Sequence, residues 1–346
     1  MNQRMKRWTQ VTAWLLTLVL ILSACQTAEG TDDTTVASTI TSTTTSTTTE
    51  ATTTEATTTE AASAELPTED RAGNALNLEA PAESVAVMAP AYAQIMEGLG
   101  ALERIAMVDT NTPMAVPALQ ELPQMDLFAP NVELLISEQP DLILVSSISM
   151  AGGEDDPFRQ AQEAGIEVAY IPTADTLADI AEDIRFIGAV LGMEKEGEQL
   201  AADYEANLLT LSELAAGIEE PKQALFEVSP APDIYSFGSG VYLHEMLETV
   251  NIRNILADQE GWLPVTEEAA LAANPDLIFT SANWLEDPVQ EILDRSAWAS
   301  VTAIEEGDVY YIENNHTQLP SQRVVDGMLA MAQAAYPDVF GDVELR

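Results

Sequence analysis

The chain is poor in basic residues, in cysteine and in histidine. Its 346 residues contain 13 Lys and Arg against 57 Asp and Glu, which gives a formal net charge of −44. A surface this acidic repels phosphate backbones and lacks the basic stripe that nucleic-acid binding requires, so that class of function is excluded. The single cysteine excludes a disulfide framework and a cysteine-rich zinc site. With two histidines, a cleft that holds bare zinc or manganese through several histidines is not expected.

The N-terminus has the organisation of an export signal. Three basic residues lie in the first ten positions, and the apolar run 11–22 follows them. That run is shorter than the about 20 residues of a membrane-spanning helix and has the length of a signal-peptide core. Leu22-Ser23-Ala24-Cys25 comes next and resembles the lipobox of bacterial lipoproteins. We therefore expect residues 1–24 to be a signal peptide and Cys25 to carry the lipid that anchors an extracytoplasmic protein to the cell membrane. A short membrane anchor with an incidental cysteine is the alternative.

The segment after Cys25 has the composition of a tether. Residues 26–66 are dominated by threonine with scattered glutamates and contain almost no large apolar side chains. Such a segment cannot bury enough surface to offset its chain entropy. We predict a disordered tether from Cys25 to residue 74, which either lifts the rest of the chain off the membrane or serves as a spacer of no required length.

Two segments of the remaining chain repeat one pattern. Asn131–Ser147 and Thr266–Ala282 each contain a run with helical spacing, a Pro-Asp pair and an apolar run, and they align residue for residue. Because proline cannot continue a helix, each segment is predicted to be a helix, a corner and a buried strand. A strand that is apolar on both faces is typical of a parallel sheet covered by helices on both sides.

A long helical region separates two matched halves. Large apolar residues recur at spacings of three and four through 177–218, and Gly192 marks a break between two helices. The predicted fold class is α/β, with two three-layer lobes of mostly parallel sheets joined by a long connecting helix. The predicted domains are an N-terminal lobe at 75–193, the connecting helix at 194–218 and a C-terminal lobe at 219–346. The matched strand, helix and strand are Ser84–Met88, Tyr92–Gly98 and Ile105–Asp109 in the first half, and Ala224–Ser229, Val241–Val250 and Asn254–Asp258 in the second.

This organisation resembles the helical-backbone substrate-binding proteins of bacterial ABC importers, which take up ferric siderophores, haem and cobalamin. The resemblance covers roughly residues 80–340 and implies the class III periplasmic-binding-protein fold. It also implies that ABC permease and ATPase subunits are the partners of a monomeric receptor. The matching motifs are Ser84–Gly100, Phe128–Glu133, both Pro-Asp-Leu-Ile units, Asp233–Gly240, Glu245–Glu248, Gly261-Trp262, Ala297-Trp298 and Pro320–Arg323.

The ligand residues are expected between the lobes. In open α/β sheets, ligands bind beyond the carboxyl ends of the strands, and a domain interface is a common pocket location. The aromatic side chains in these loops suit a large, flat or apolar ligand. Each kind of candidate residue also has a purely structural interpretation. The aromatic side chains could belong to the core, the histidine could lie on the surface without a ligand, and the arginine could form a salt bridge with one of the many acidic residues. The candidate ligand-binding residues are Met88, Tyr92, Phe128, Tyr235, Phe237, Trp262, Trp284, His316 and Arg323.

The charge of the candidate site favours a neutral or weakly charged metal chelate. Arg323 is the one evident cation, whereas a strongly anionic siderophore would require several. Cobalamin and ferric siderophores both stay open, and no cofactor is expected beyond the Fe or Co that the ligand carries. Haem-binding relatives use Met and His ligands at the positions of Phe128 and Asn283, so the haem alternative is weakened.

The resemblance also implies permease contacts through one surface carboxylate from each lobe. In the second lobe, Glu245 and Glu248 match the expected helix. In the first lobe the usual glutamate position is Gln94, and Glu97 lies one turn later on the same helical face as a substitute.

The sequence contains no constellation that indicates an enzyme. Gly238-Ser239-Gly240 predicts a turn rather than a phosphate-binding loop, and no His–Asp pair is placed to activate the serines that end the predicted strands. A lipid-anchored hydrolase and a wall-associated adhesin are the remaining alternatives, and neither accounts for the duplicated lobes.

Overall fold

The computed structural model of the protein describes residues 66–146 and 156–346. The predicted signal peptide (1–24), the lipidation site Cys25 and the tether up to residue 65 lie outside these residues. Within the described ranges, none of the helices combines the length and the hydropathy that crossing a membrane requires.

The first lobe is built on a five-stranded parallel sheet with the strand order β3-β2-β1-β4-β5. Its central strands are buried along their length, as the apolar runs of the sequence predict. The strands are β1 Val85–Met88, β2 Ile105–Asp109, β3 Gln124–Met125, β4 Leu142–Ser146 and β5 Glu167–Ile171, and the helices are α1 Pro90–Gly98, α2 Thr112–Ala115, α3 Val132–Glu138 and α4 Pro157–Glu163.

Two long helices follow the first sheet. Helix α5 spans Leu177–Val190 and helix α6 spans Glu194–Ala215, which confirms the predicted long helix. The chain turns between them at Gly192, whose φ of +65° suits a residue without a side chain. A Cβ atom on Gly188 would lie 2.8 Å from the Cα of Gly197, so the two helices approach each other where only glycine fits.

The second lobe repeats the plan with a four-stranded parallel sheet of order β11-β10-β6-β8 and an added antiparallel pair, β7 and β9. Its strands are β6 Gln223–Glu227, β7 Tyr235–Phe237, β8 Arg253–Asn254, β9 Trp262–Pro264, β10 Leu277–Thr280 and β11 Val309–Tyr311. Its helices are α7 Tyr242–Thr249, α8 Glu267–Ala273, α9 Pro288–Leu293, α10 Thr302–Glu306, α11 Val324–Ala335 and α12 Pro337–Phe340.

The repeated segments form the predicted helix, corner and strand in both lobes. Helices α3 and α8 are capped at their N-termini by Asn131 and Thr266, whose side chains accept hydrogen bonds from backbone amides in the first turn. Each helix is followed by a residue in the left-handed conformation, Gln139 with φ 49° and Asn274 with φ 47°, directly before the proline. The same local chemistry therefore ends the helix and starts the strand twice.

The aspartate of each corner binds the neighbouring strand. The Asp141 carboxylate accepts hydrogen bonds from the amides of Glu83 and Ser84, both at 2.9 Å, at the entry to β1. The Asp276 carboxylate accepts one from the amide of Gln223 at 2.8 Å, at the entry to β6. These bonds satisfy backbone donors that the start of a strand leaves unpaired.

The two lobes share one hydrophobic core. A continuous cluster of buried side chains runs from β1 through the long helices to β6 and α11, with Val87, Ile184, Leu211, Phe226 and Met328 among its members. Each lobe also has a separate cluster under the outer face of its own sheet. The helices α1, α5, α6, α7 and α11 thus hold the lobes together through apolar contact.

Residues 68–76 pack against the first lobe. Ala72 donates its amide to the carbonyl of Tyr170 in β5 at 3.2 Å, and the amide of Tyr170 donates to the Asp70 carboxylate at 2.9 Å. The prediction assigned residues up to 74 to the disordered tether. The structure differs because the edge of β5 offers backbone partners that composition does not reveal.

The predicted strand at Asn254–Asp258 is shorter than expected. Strand β8 ends at Asn254, where the side-chain carbonyl accepts from the amide of Leu256 at 2.9 Å and the side-chain amide donates to the carbonyl of Phe237 at 2.9 Å. An asparagine that bonds its own backbone two residues later turns the chain and ends the strand.

Candidate functional site

A small cavity lies where the strand ends of the first lobe meet the loop that follows β11. Its volume is about 130 Å³. Most of its lining follows the carboxyl ends of β1, β4 and β5, which is where an open parallel sheet places its ligands. The lining residues are Ala89, Pro90, Ala91, Tyr92, Ser146, Pro172, Thr173 and Asp183 from the first lobe and α5, and Leu319 and Pro320 from the second lobe.

Tyr92 is the predicted ligand residue that lines this cavity. Its ring is buried, and its hydroxyl donates to the carbonyl of Ile171 at 3.3 Å. Burial, with a smaller contribution from the charge of Asp183, raises the pKa of the Tyr92 hydroxyl far above its ordinary value. Tyr92 therefore remains a neutral group at any physiological pH.

Asp183 is a buried carboxylate that the sequence reading missed. The residue is 2% exposed on α5, and its Oδ1 accepts from the Arg71 Nε at 2.8 Å. Burial raises the pKa of Asp183 to about 7, although the guanidinium of Arg71 acts in the opposite direction. The sequence carried a signal, because Asp183 stands three residues after Ile180 and four before Ile187, on the face that the apolar spacing buries.

A polar network joins α1 to the loop after β11. Gln94 is fully buried, and its Oε1 accepts from the Ser321 hydroxyl at 2.6 Å while its Nε2 donates to the carbonyl of Asn315 at 3.3 Å. The Gln322 side chain donates to the carbonyl of Gln94 at 2.8 Å. Gln94, at the position where the family resemblance led us to expect a docking glutamate, therefore forms a buried contact between the lobes.

Arg323 and Glu97 form an ion pair with each other. Both side chains are about one-third exposed, and the Arg323 Nη2 donates to the Glu97 Oε2. The arginine was predicted to hold the ligand and the glutamate to contact a permease. Both assignments stay predictions. To bind a ligand, Arg323 would have to release or share Glu97, and to contact a permease, Glu97 would have to release or share Arg323.

The other predicted aromatic residues divide into core and rim positions. Phe237 is fully buried against Phe226, with ring centroids 5.5 Å apart, and Trp262 packs edge-on against Phe237 at 5.9 Å. Met88 and Tyr235 are buried as well. Trp262 is half-buried and keeps part of its ring accessible.

The rim residues lie after strand ends and are highly exposed. Phe128 follows β3 and is 66% exposed, and Trp284 follows β10 and is 60% exposed. Met114, which the sequence reading did not select, is 69% exposed, and its carbonyl accepts from the Asn315 side chain of the second lobe at 3.5 Å. His316 follows Asn315 and is half-buried. Exposed apolar side chains thus follow strand ends in both lobes.

The two predicted permease carboxylates of helix α7 differ in their surroundings. The Glu245 carboxylate accepts from the amide of Leu177 at 2.7 Å, at the first turn of α5. Glu248 is exposed. Of these two glutamates, Glu248 is therefore the more accessible to a partner protein.

Three arginines with largely buried side chains are already paired. Arg71 binds Asp183 and Glu182, Arg323 binds Glu97, and Arg295 binds a buried glutamate at the end of β6. An anionic ligand would have to compete with these carboxylates. In the part of the chain that the structure describes, no group of three His, Cys, Asp or Glu side chains is arranged to hold a metal ion.

Comparisons with known proteins agree on one family. Residues 85–316 match the sequence model of the family described as periplasmic binding protein. The Bacillus subtilis (strain 168) protein YvrC, described as an uncharacterized ABC transporter substrate-binding lipoprotein, is 30% identical over 276 residues, which are 79% of this chain and 86% of that protein.

Two relatives with named ligands are more distant. The molybdate-binding protein MolA of Haemophilus influenzae is 24% identical over 301 residues, which are 80% of this chain and 83% of MolA. The cobalamin-binding protein of Halobacterium salinarum is 23% identical over 275 residues, which are 77% of this chain and 72% of that protein. The solved structure of MolA bound to molybdate matches the present fold with a TM-score of 0.68 at 20% identity and covers 81% of this chain and 94% of MolA.

Proposed function

The chain belongs to the periplasmic binding protein family, and on that premise we propose that it is the lipid-anchored solute receptor of an ABC importer. It binds a metal chelate, a corrinoid or a ferric siderophore, between its lobes and delivers the ligand to a permease. It is a binding protein and not an enzyme, and the energy for import comes from ATPase subunits on other chains.

The pairing of Arg71 and Arg323 carries the preference for an uncharged ligand. Arg71 holds Asp183, which lines the cavity, and Arg323 holds Glu97 of the opposite lobe, so the charge that would attract an oxyanion is neutralised within the protein. Cobalamin, a corrinoid whose charges largely balance, fits this environment better than an anionic catecholate siderophore. Molybdate, which MolA is named for, fits it least.

The size of the site supports a ligand that extends beyond the cavity. Ligand pockets for small molecules usually measure about 300–1,000 Å³, whereas this cavity measures about 130 Å³. A chelate would therefore place one edge in the cavity and extend beyond it. We assign the rest of its surface to apolar side chains that follow other strands and are exposed, Phe128 and Trp284. Apolar and aromatic surface of that kind contributes binding free energy through area and ring contacts.

Calorimetric titration tests the proposal. We expect saturable binding of cobalamin at micromolar concentration or below, weaker binding of ferric enterobactin, and no heat with molybdate. Trp284→Ala is expected to weaken cobalamin binding by about tenfold or more, since it removes a large contact surface. The matched control Leu209→Ala alters a side chain that is 57% exposed on α6 and leaves affinity unchanged. A flat titration with cobalamin, ferrioxamine B, ferric enterobactin and haem would refute the receptor function.

The membrane anchor is tested separately. Cys25 provides the thiol for lipid attachment, and a lipidated cysteine holds a protein firmly when it carries more than one acyl chain. In cells, the full chain is expected in the membrane fraction and Cys25→Ser in the soluble extracytoplasmic fraction. Retention of Cys25→Ser in the membrane would contradict the lipid anchor and leave the ligand assignment untouched.

A further inference from the structure

The buried carboxylate of Asp183 lines the same cavity as Tyr92. We propose that Asp183 is a ligand-binding residue, which accepts a hydrogen bond from a nitrogen donor, an amide or ammonium group, on the edge of the ligand that enters the cavity. The inference rests on the proposed receptor function and specifies which chemical group of the ligand the receptor recognises.

The dimensions of the cavity set the size of the group it receives. A volume of about 130 Å³ exceeds the about 10–15 Å³ that admits one water molecule and lies below the about 300–1,000 Å³ of usual ligand pockets, so the cavity does not enclose a corrin ring or a whole siderophore. It suits one short side group. Corrinoids carry acetamide and propionamide chains around the ring, and ferrioxamine B carries a terminal ammonium group, so both candidate ligands offer a nitrogen donor of this size.

Among the described residues that line the cavity, Asp183 is the strongest hydrogen-bond acceptor. Alanine, proline and leucine side chains form most of the wall, and the Tyr92 hydroxyl already donates to the carbonyl of Ile171. Arg71 uses Oδ1 of the Asp183 carboxylate. Above about pH 7, where Asp183 is ionised, a nitrogen donor from the ligand would form a charge-assisted hydrogen bond with the carboxylate, whereas a carboxylate or phenolate at the same place would be repelled. The binding experiment is therefore run at about pH 8.

Arg71 acts as a positioning residue for Asp183. It reaches α5 from the segment 68–76, and its guanidinium binds Asp183 and the exposed Glu182 together. The other charged or titratable groups that act on the Asp183 carboxylate are Asp179 on the same helix and Tyr92 on α1. The guanidinium fixes the orientation of the carboxylate and supports its negative charge inside the protein.

The experiment compares cobalamin with its monocarboxylic derivatives, in which one side-chain amide is replaced by a carboxylate. Calorimetry on the full chain is expected to show at least one isomer that binds about tenfold or more weakly than cobalamin, because its carboxylate meets Asp183. In Asp183→Asn, Arg71 keeps the amide oxygen and the amide NH₂ group faces the cavity. Cobalamin should then bind about tenfold more weakly, and the preference against that isomer should disappear or reverse.

The matched control is Glu182→Gln. Glu182 shares Arg71 but is largely exposed and does not line the cavity, so this variant should keep the wild-type affinity and the wild-type preference. If the wild type binds ferrioxamine B rather than cobalamin, the comparison uses ferrioxamine B and its N-acetylated derivative, which lacks the ammonium group. The derivative is expected to bind about tenfold or more weakly.

The outcomes separate the two proposals. If the wild type binds cobalamin but treats all of its isomers alike, Asp183 is structural only and this inference is wrong while the receptor function stands. The isomer comparison needs no variant, so it remains decisive even if Asp183→Asn fails to fold. If the wild type binds none of the chelates, the receptor function fails and this inference fails with it.

Discussion

The two lobes each bury a carboxylate beside an arginine, and they do so in different ways. In the second lobe, the Arg295 guanidinium donates to both oxygens of Glu227, at 2.6 and 2.9 Å, and also binds Glu291. It lies 4.9 Å above the ring of Trp298. In the first lobe, Arg71 donates to one oxygen of Asp183, which also lines a cavity.

The difference indicates which pair serves stability and which serves binding. The bonding capacity of Glu227 is taken up inside its own lobe, and burial raises the pKa of Glu227 against the opposing effect of Arg295. A buried pair with complete bonding makes the lobe depend on both partners. The pair in the first lobe keeps bonding capacity next to an open space, and that capacity is available to a ligand.

The largest expected effect comes from breaking the pair of the second lobe. Arg295→Met leaves the Glu227 carboxylate buried without its partner, which should lower the free energy of unfolding by about 3–5 kcal/mol. Urea denaturation followed by circular dichroism measures it. Glu291→Gln, at the half-exposed end of the same network, should cost about 0–1 kcal/mol. A loss below about 1 kcal/mol in Arg295→Met would contradict the assignment of the second pair to stability.

A smaller effect is expected from the pH dependence of the first pair. Asp183 binds a proton in the folded protein up to about pH 7, whereas an ordinary aspartate in the unfolded chain releases it near pH 4. The folded state therefore holds the extra proton between these values, and the free energy of unfolding falls as pH rises from about 4 to 7. Asp183→Asn should remove this decline, by about 1–3 kcal/mol between pH 5 and pH 8, and Glu182→Gln should retain it. Parallel curves for the wild type and Asp183→Asn would contradict the assignment.

The smallest effect distinguishes the two repeated corners. Asp141 accepts two backbone hydrogen bonds and Asp276 accepts one from a backbone amide of the neighbouring strand. Asp141→Ala should cost about 1–2 kcal/mol and Asp276→Ala about half as much, since each removed acceptor leaves backbone donors to solvent. Thermal denaturation of the two variants side by side measures the difference. Equal losses would mean that the second hydrogen bond at Asp141 adds nothing.

The features that the sequence predicted well depend on neighbouring residues. The helix, corner and strand of each repeat follow from a capping side chain, a left-handed residue and a proline within one short segment. The break at Gly192 and the long helix after it also follow from local spacing. The length of strand β8 was overestimated because the Asn254 side chain accepts a hydrogen bond from the amide of Leu256. Strand propensity gives no indication of this bond.

The features that the sequence predicted poorly depend on contacts between segments that are distant along the chain. Arg323 and Glu97 are far apart along the chain, and 57 acidic residues offered no basis for choosing the partner of one arginine. Phe237 ends β7 and is fully buried, whereas Phe128 follows β3 by three residues and is exposed. The position of Asp183 on the buried face of α5 was readable from its spacing, but its arginine comes from a segment that composition had assigned to the tether.

The continuous hydrophobic core has a consequence for how new ligand preferences arise in this fold. Because Val87, Ile184, Leu211 and Met328 belong to one cluster, a chimaera that exchanges a whole lobe with a relative would have to refit a packed interior. The loops after the strands lie outside that interior and can vary singly. Laboratory recombination aimed at a different nutrient should therefore graft these loops onto the intact body rather than recombine halves.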